Sequence, residues 1–126
     1  MEIGVLVEDC SCLGAEMAEM FDSYYGFGRR KANDVSESSI VAYNAERPLQ
    51  VKIDDQPADV YIASSPKWLN PPGRVWDRDA IVNAIDDARR FLYIHVMDYF
   101  PMYLYTPTQH YWSDIDDAIR RAAFRG

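Results

Sequence analysis

Apolar residues follow distinct rhythms along this chain, and each rhythm predicts its own kind of element. Residues 3–7 are almost uninterruptedly apolar and predict a short buried strand. Leu13, Met17, Met20 and Tyr24 recur at helical spacing, which predicts a helix over about residues 12–25 with that stripe turned to the core. Asp9 and Ser11 offer N-cap chemistry before it, and Gly26 and Gly28 predict its end. Residues 29–39 are polar, charged and serine-bearing, as a solvated loop is. Residues 40–43 and 49–53 read as strands, the second alternating apolar with polar. After the turn 54–57, residues 60–63 return as a strand, so a hairpin is expected.

Residues 64–76 carry Pro66, Pro71, Pro72 and Gly73 with two tryptophans, the composition of an irregular loop closed by its aromatics. Asp77 opens a helix with Ile81, Ile85 and Ala88 on one face. Residues 91–97 are apolar with little alternation, which predicts a strand buried on both faces and ended by Asp98, Tyr99 and Pro101. A loop rich in tyrosine and proline leads to Ser113, which caps a last helix with Ile115, Ala118, Ile119 and Ala122 inward. Asp116–Arg120 and Asp117–Arg121 are i,i+4 pairs on its outer side. The order is β-α, a β-hairpin insertion, then α-β-α: an α/β chain without internal repeats. A strand such as 91–97 needs neighbours on two sides, and few candidates remain, so the sequence reads as an incomplete piece of a larger α/β protein.

The 126 residues carry a formal charge of −7, and no long basic stripe is present. Tight binding of a nucleic-acid duplex through such a surface is disfavoured, whereas a strand held in a small basic pocket is not. No run approaches the ~18 apolar residues of a membrane span. The first ten residues lack the basic lead and cleavage site of a signal peptide. Cys10 and Cys12 are the two cysteines, one residue apart. A disulfide ring between them would be strained, so either both are free thiols or both pair outside the chain. They do not form a zinc site with His95 and His110, which lack a matching paired spacing.

Catalytic motifs are missing as well. There is no G-x-S-x-G elbow, no P-loop and no G-x-G-x-x-G. His95 sits in an apolar run, where a satisfied core histidine is expected. His110, beside Tyr111 and Trp112, fits an exposed or stacked role.

A collinear set of segments nevertheless resembles a known family. It comprises Glu2-Ile3-Gly4-Val5-Leu6, Cys10-Ser11-Cys12-Leu13, Tyr61-Ile62-Ala63-Ser64-Ser65-Pro66 and Gly73-Arg74. It continues with Ala88-Arg89-Arg90-Phe91-Leu92-Tyr93-Ile94, Val96-Met97-Asp98-Tyr99-Phe100-Pro101, and residues 111–122. Together they resemble the middle of the phospholipase D superfamily, in the endolysosomal 5′-exonuclease-like branch of phospholipase D members three and four. The resemblance implies a two-lobed α/β phosphodiesterase in which each lobe supplies one H-x-K-x4-D/E motif. One histidine attacks phosphorus, the other protonates the leaving oxygen, and the lysines hold phosphate oxygens. No cofactor or metal is implied.

This chain departs from that pattern, because Met97 follows His95 and Trp112 follows His110 at the lysine positions. The expectation is a piece between the two motifs, inactive alone. Residues 1–63 would end the first lobe with a strand insertion, 64–76 connect, and 77–126 begin the second lobe. By the same resemblance Glu2 orients a catalytic histidine, as the aspartate of a serine-protease triad does. Asp98 and Tyr99, at the end of a strand, would reach the active-site rim. Cys10 and Cys12 match a pair that bridges to cysteines outside the segment, which implies a secretory or lysosomal lumen. Asn70 stands where mammalian members have a further disulfide cysteine, and no N-x-S/T sequon occurs. The partners implied are the remainder of the enzyme and a phosphodiester substrate, single-stranded nucleic acid or phospholipid, with a homodimer compatible. A different class of function also fits nine tyrosines and three tryptophans: a non-catalytic interaction module.

Overall fold

The computed structural model describes residues 6–29 and 42–126. It is a mixed α/β chain whose residues divide after Asp77 into two compact units.

In the first unit, helix α1 spans Ser11–Arg29. Its first turn closes on Cys10, whose carbonyl accepts from the Gly14 N–H at 3.1 Å, so Cys10 rather than Asp9 or Ser11 holds the cap position. Gly26 and Gly28 do not stop it. Both lie in open helical surface, where a glycine costs about 1 kcal/mol against alanine but ends nothing unless the backbone turns left-handed. The expected apolar stripe is also rotated. Met17 and Tyr24 are exposed, and the one buried residue of α1 is Glu16. The sheltered face follows Glu16, Glu19, Met20 and Ser23 instead. Leu6 and Val7 are exposed and not in a strand, and the rest of the expected strand 3–7 lies outside the described residues. So do most of the expected loop 29–39 and the start of strand 40–43, of which Ala42 and Tyr43 are not in a strand.

Strands β1 (Leu49–Ile53) and β2 (Gln56–Val60) form the expected antiparallel hairpin, with Leu49 opposite Val60 and Ile53 opposite Gln56. Asp54 and Asp55 both have positive φ, 49° and 62°. That is the twist a two-residue hairpin turn demands, and aspartate tolerates it. Pro57 lacks an N–H and fits a two-stranded ribbon. The return strand thus starts at Gln56, not at Val60.

The loop 64–76 is more ordered than its composition suggests. Strands β3 (Ala63–Ser64) and β4 (Val75–Trp76) pair in parallel, and a short 3₁₀ turn over Lys67–Leu69 buries Leu69. Asn70 knits the loop together. Its amide donates to the Ser64 carbonyl at 3.0 Å, and its carbonyl accepts from the Ser64 hydroxyl at 2.9 Å. Hydrogen bonds therefore brace this loop. Trp76 Nε1 donates to Ser65 Oγ at 3.0 Å, and that hydroxyl donates to Asp77.

Glu16 is buried because Arg74 meets it. Arg74 Nη2 lies 3.0 Å from Glu16 Oε2, with side chains 0% and 3% exposed. The other Glu16 oxygen accepts from the Tyr43 N–H at 2.9 Å. The Arg74–Glu16 contact is an ion pair without hydrogen-bond alignment, and Nε and Nη1 of Arg74 have no acceptor among the described residues. Burial pushes the Glu19 carboxyl above its ordinary range; the Arg74 charge opposes that shift and Glu16 adds to it. The folded chain therefore holds the Glu19 proton more tightly than the unfolded chain. That penalty is absent below the unfolded glutamate value of about 4.3 and grows as pH rises through the raised folded value. Glu19→Gln should raise the melting temperature at pH 7 and remove part of the gain on going from pH 7 to pH 5. Paired thermal melts check it, and an unchanged pH dependence would refute the assignment.

In the second unit, α2 (Asp77–Asp87) and α3 (Ser113–Arg125) are clamped by charge. Arg78 Nη1 meets Asp114 at 2.5 Å, and Arg121 grips Asp86 through two bonds of 3.0 and 2.6 Å. Arg125 adds a bond to the Ile85 carbonyl at 3.0 Å. Arg121 was expected to pair with Asp117 on its own helix; it reaches across to α2 because a bidentate carboxylate outcompetes an exposed i,i+4 partner. The α3 N-cap is Trp112, which makes no side-chain cap, so Ser113 is the first helical residue rather than the cap. Ile85 and Ala118 are buried, while Ile81 is 46% exposed.

The expected strand 91–97 is not formed. Every residue from 91 to 100 is exposed and none is in a sheet. His95 is consequently a surface residue, not a core histidine.

Candidate functional site

The chemistry of the second unit gathers on Asp116. Its carboxylate accepts from the Tyr99 hydroxyl at 3.1 Å, the Tyr111 hydroxyl at 2.6 Å and Arg120 Nε at 2.7 Å. Asp116 is 8% exposed, so the i,i+4 pair with Arg120 is present but its acid faces inward. The Tyr111 hydrogen bond, then Arg120, burial notwithstanding, hold this carboxyl below its ordinary range. Burial and the same carboxylate push the Tyr99 phenol up; at Tyr111 the hydrogen bond is the larger cause. Both phenols remain protonated donors at neutral pH. Nothing local in the sequence marks this hub, since Tyr99 and Asp116 are 17 positions apart.

The loop between Tyr99 and α3 closes as a narrow hairpin. Met102 and Tyr111 form an antiparallel bridge, Tyr103 N donates to the His110 carbonyl at 2.9 Å, and Trp112 N donates to the Pro101 carbonyl at 2.8 Å. The His110 ring stacks on Tyr103 with centroids 4.3 Å apart, the stacked role its neighbours suggested.

Of the residues singled out by sequence, Tyr99 has its hydroxyl committed to Asp116, and the residue as a whole is 44% exposed. Asp98 is exposed, without a hydrogen-bond or ion-pair partner among the described residues. Glu2 lies outside the described residues. Cys10 and Cys12 are both free, with sulfurs 3.0 Å apart, well beyond the ~2.05 Å of a disulfide. They border a groove of about 590 Å³ that Leu6, Val51, Ile53 and Val60 also line. The hydrogen bond between the thiols lowers the Cys10 pKa and raises that of Cys12, and the Leu13 N–H at the start of α1 adds to the effect on Cys10. Cys10 should therefore alkylate faster than Cys12 in the folded chain, and the denatured chain should titrate two thiols. Peptide mass spectrometry after timed iodoacetamide labelling checks this; a dominant Cys10–Cys12 ring would contradict it.

No cluster of three or more His, Cys, Asp or Glu side chains suited to a metal ion occurs among the described residues. What the described residues hold in place is a polar hub, an aromatic hairpin and a dithiol. The profile of a family described as "PLD3/4, PLD-like domain" matches residues 1–126. The chain belongs to that phospholipase D-like family. It is 36% identical to "5'-3' exonuclease PLD3" of Bos taurus over 98% of its own length and 26% of the relative's. The human protein of the same name is 35% identical over the same shares. "Probable phospholipase D F09G2.8" of Caenorhabditis elegans is 35% identical over 99% of this chain and 23% of its own length. The chain thus spans about a quarter of the length of the curated relatives it matches. Among the described residues, no helix is long and apolar enough to cross a membrane.

Proposed function

We propose that this chain is the segment between the two catalytic motifs of a phospholipase D-type phosphodiesterase that acts on single-stranded nucleic acid, and that it is inactive alone. The carrying observation is its 36% identity, over 98% of its length, to a protein named a 5'-3' exonuclease, in a sequence holding no H-x-K. Residues 1–63 end one lobe, 64–76 connect, and 77–126 begin the next. Glu2 orients a histidine from outside the segment. Tyr99, pinned through its hydroxyl by Asp116, offers its ring to a base at the rim of the site, with Asp98 beside it. Cys10 and Cys12 bridge to cysteines beyond the segment in an oxidising lumen, secretory or lysosomal, which suits two free thiols, one half-buried and one exposed.

The name of the nematode relative favours a second reading, phospholipid cleavage by the same phosphodiester chemistry. Sequencing the gene on either side tests the placement. An in-frame H-x-K-x4-D/E motif upstream and another downstream would support it. Stop codons before either motif would sink it.

A further inference from the structure

The limbs of the hairpin 99–112 are joined by the Met102–Tyr111 bridge and by the bonds from Tyr103 N and Trp112 N. None of its residues is Asp, Glu, Lys or Arg, in a chain of which 26% is charged. The hairpin thus brings no fixed charge with which to anchor itself. What ties it down is a phenol at each foot. Tyr99, at the start of one limb, donates to Asp116 Oδ1 at 3.1 Å, and Tyr111, near the end of the other, donates to Oδ2 at 2.6 Å. Arg120 Nε shares Oδ2 at 2.7 Å and supplies the counter-charge. Because α3 carries that carboxylate, both feet are referred to one helix. A sheltered carboxylate with three donors resists displacement, since each bond lost leaves charge under-solvated. At the other end of the hairpin, Met102, Leu104, Tyr105 and Trp112 border a cavity of about 300 Å³, and its aim follows from how the feet are set.

We propose that Asp116 is a positioning residue of the phosphodiesterase: by clamping both feet of the hairpin 99–112 to α3, it sets where the Tyr99 ring and the hairpin tip meet the substrate. The inference rests on the phosphodiesterase reading given above and assigns Asp116 a task within it. Two features favour that task over a brace for the fold alone. The α2–α3 pair is held by Arg78–Asp114 and by Arg121–Asp86, and neither pair involves Asp116. In addition, two phenols from opposite limbs on one carboxylate fix the limbs relative to each other as well as to the helix, which a single tether does not. Asp116 acts through the hairpin and not on phosphorus. Loss of the clamp therefore weakens capture of the substrate, while the chemical step, carried by histidines outside the segment, is nearly untouched.

A chimera in which residues 1–126 replace the matched segment of the bovine exonuclease reads this out as KM and kcat on a single-stranded oligonucleotide. Asp116→Ala is expected to raise KM about tenfold or more and to change kcat by less than about threefold. Asp116→Asn, whose amide can accept from one phenol and donate to the oxygen of the other, should bring KM back to within about threefold of the parent. Tyr111→Phe removes one bond and no charge, so it probes the clamp even where the alanine variant fails to fold; its KM should rise by about threefold or more. Asp86→Asn loosens the α2–α3 clamp and serves as the structural comparison: it should lower the melting temperature and leave KM unchanged. An unchanged KM in Asp116→Ala and Tyr111→Phe, a loss confined to kcat, or an equal rise in KM in Asp86→Asn would overturn the assignment. Hydrogen exchange in the 126-residue chain alone separates the clamp from the exonuclease reading. The Tyr103 and Trp112 amides should exchange about tenfold faster or more in Asp116→Ala than in the parent, and at nearly the parent rate in Asp86→Asn. An inert parent chimera defeats the exonuclease reading, and the exchange rates then decide the clamp; an active chimera without that acceleration defeats the clamp alone.

Discussion

Arg74→Ala is expected to destabilise the unit of residues 3–77 by about 3–5 kcal/mol, a large share of a small domain's stability. Arg74 and Glu16 are both shut away from water, at 0% and 3% exposure, so neither can be resolvated when its partner goes. The alanine variant leaves the Glu16 carboxylate in the interior with the Tyr43 N–H as its remaining hydrogen-bond donor among the described residues. That uncompensated charge, not the lost attraction, dominates the cost. The double variant Glu16→Leu/Arg74→Met should recover most of the loss, because apolar groups of similar volume replace a buried ion pair at little expense. Urea unfolding followed by the fluorescence of Trp68 and Trp76 reads this unit. A loss below about 1 kcal/mol for Arg74→Ala, or a double variant as weak as the single, would contradict the assigned role.

The hairpin over Leu49–Val60 was legible in the sequence because its signals are local: alternation on one strand, then two aspartates that tolerate positive φ. The three helices were legible by periodicity, with boundaries off by a few residues. The errors have a common origin. The stripe of Leu13, Met17, Met20 and Tyr24 has the spacing of a core face, yet Glu16 faces inward because an arginine 58 positions later neutralises it. Periodicity sees apolar residues, and a long-range ion pair is invisible to it. Gly26 and Gly28 punctuate a helix only where the backbone turns, and here it does not.

The same limit governs the candidate site. Asp116 looked like half of a surface pair, and Arg120 is indeed its partner, but two tyrosine hydroxyls from outside the helix turn the carboxylate inward. Residues 91–97 carry the pattern of a doubly buried strand, and the described chain offers nothing to bury them. Pattern reports the environment a segment is made for, which here exceeds what the described residues supply. The family was legible from short collinear matches spread over the chain, where no single motif sufficed.

Hydrolysis of a phosphodiester is the sharpest divide between this chain and the enzyme it is proposed to belong to. Phosphoryl transfer of this kind needs a nucleophilic histidine, a protonating partner and a cation on the phosphate oxygens. His95 and His110 have Met97 and Trp112 where lysine would stand. His110 is engaged with the Thr108 carbonyl at 3.1 Å and stacked on Tyr103. Neither arrangement activates an imidazole for attack on phosphorus. A dimer would double these groups without adding the missing lysine. The most direct measurement is release of mononucleotides from a 5′-labelled single-stranded oligonucleotide by the chain alone and by the chimera with the bovine exonuclease. The expected result is turnover by the chimera at least about 10⁴-fold above the chain, which stays at the buffer rate. Hydrolysis by the chain alone that disappears in His95→Ala or His110→Ala would contradict it.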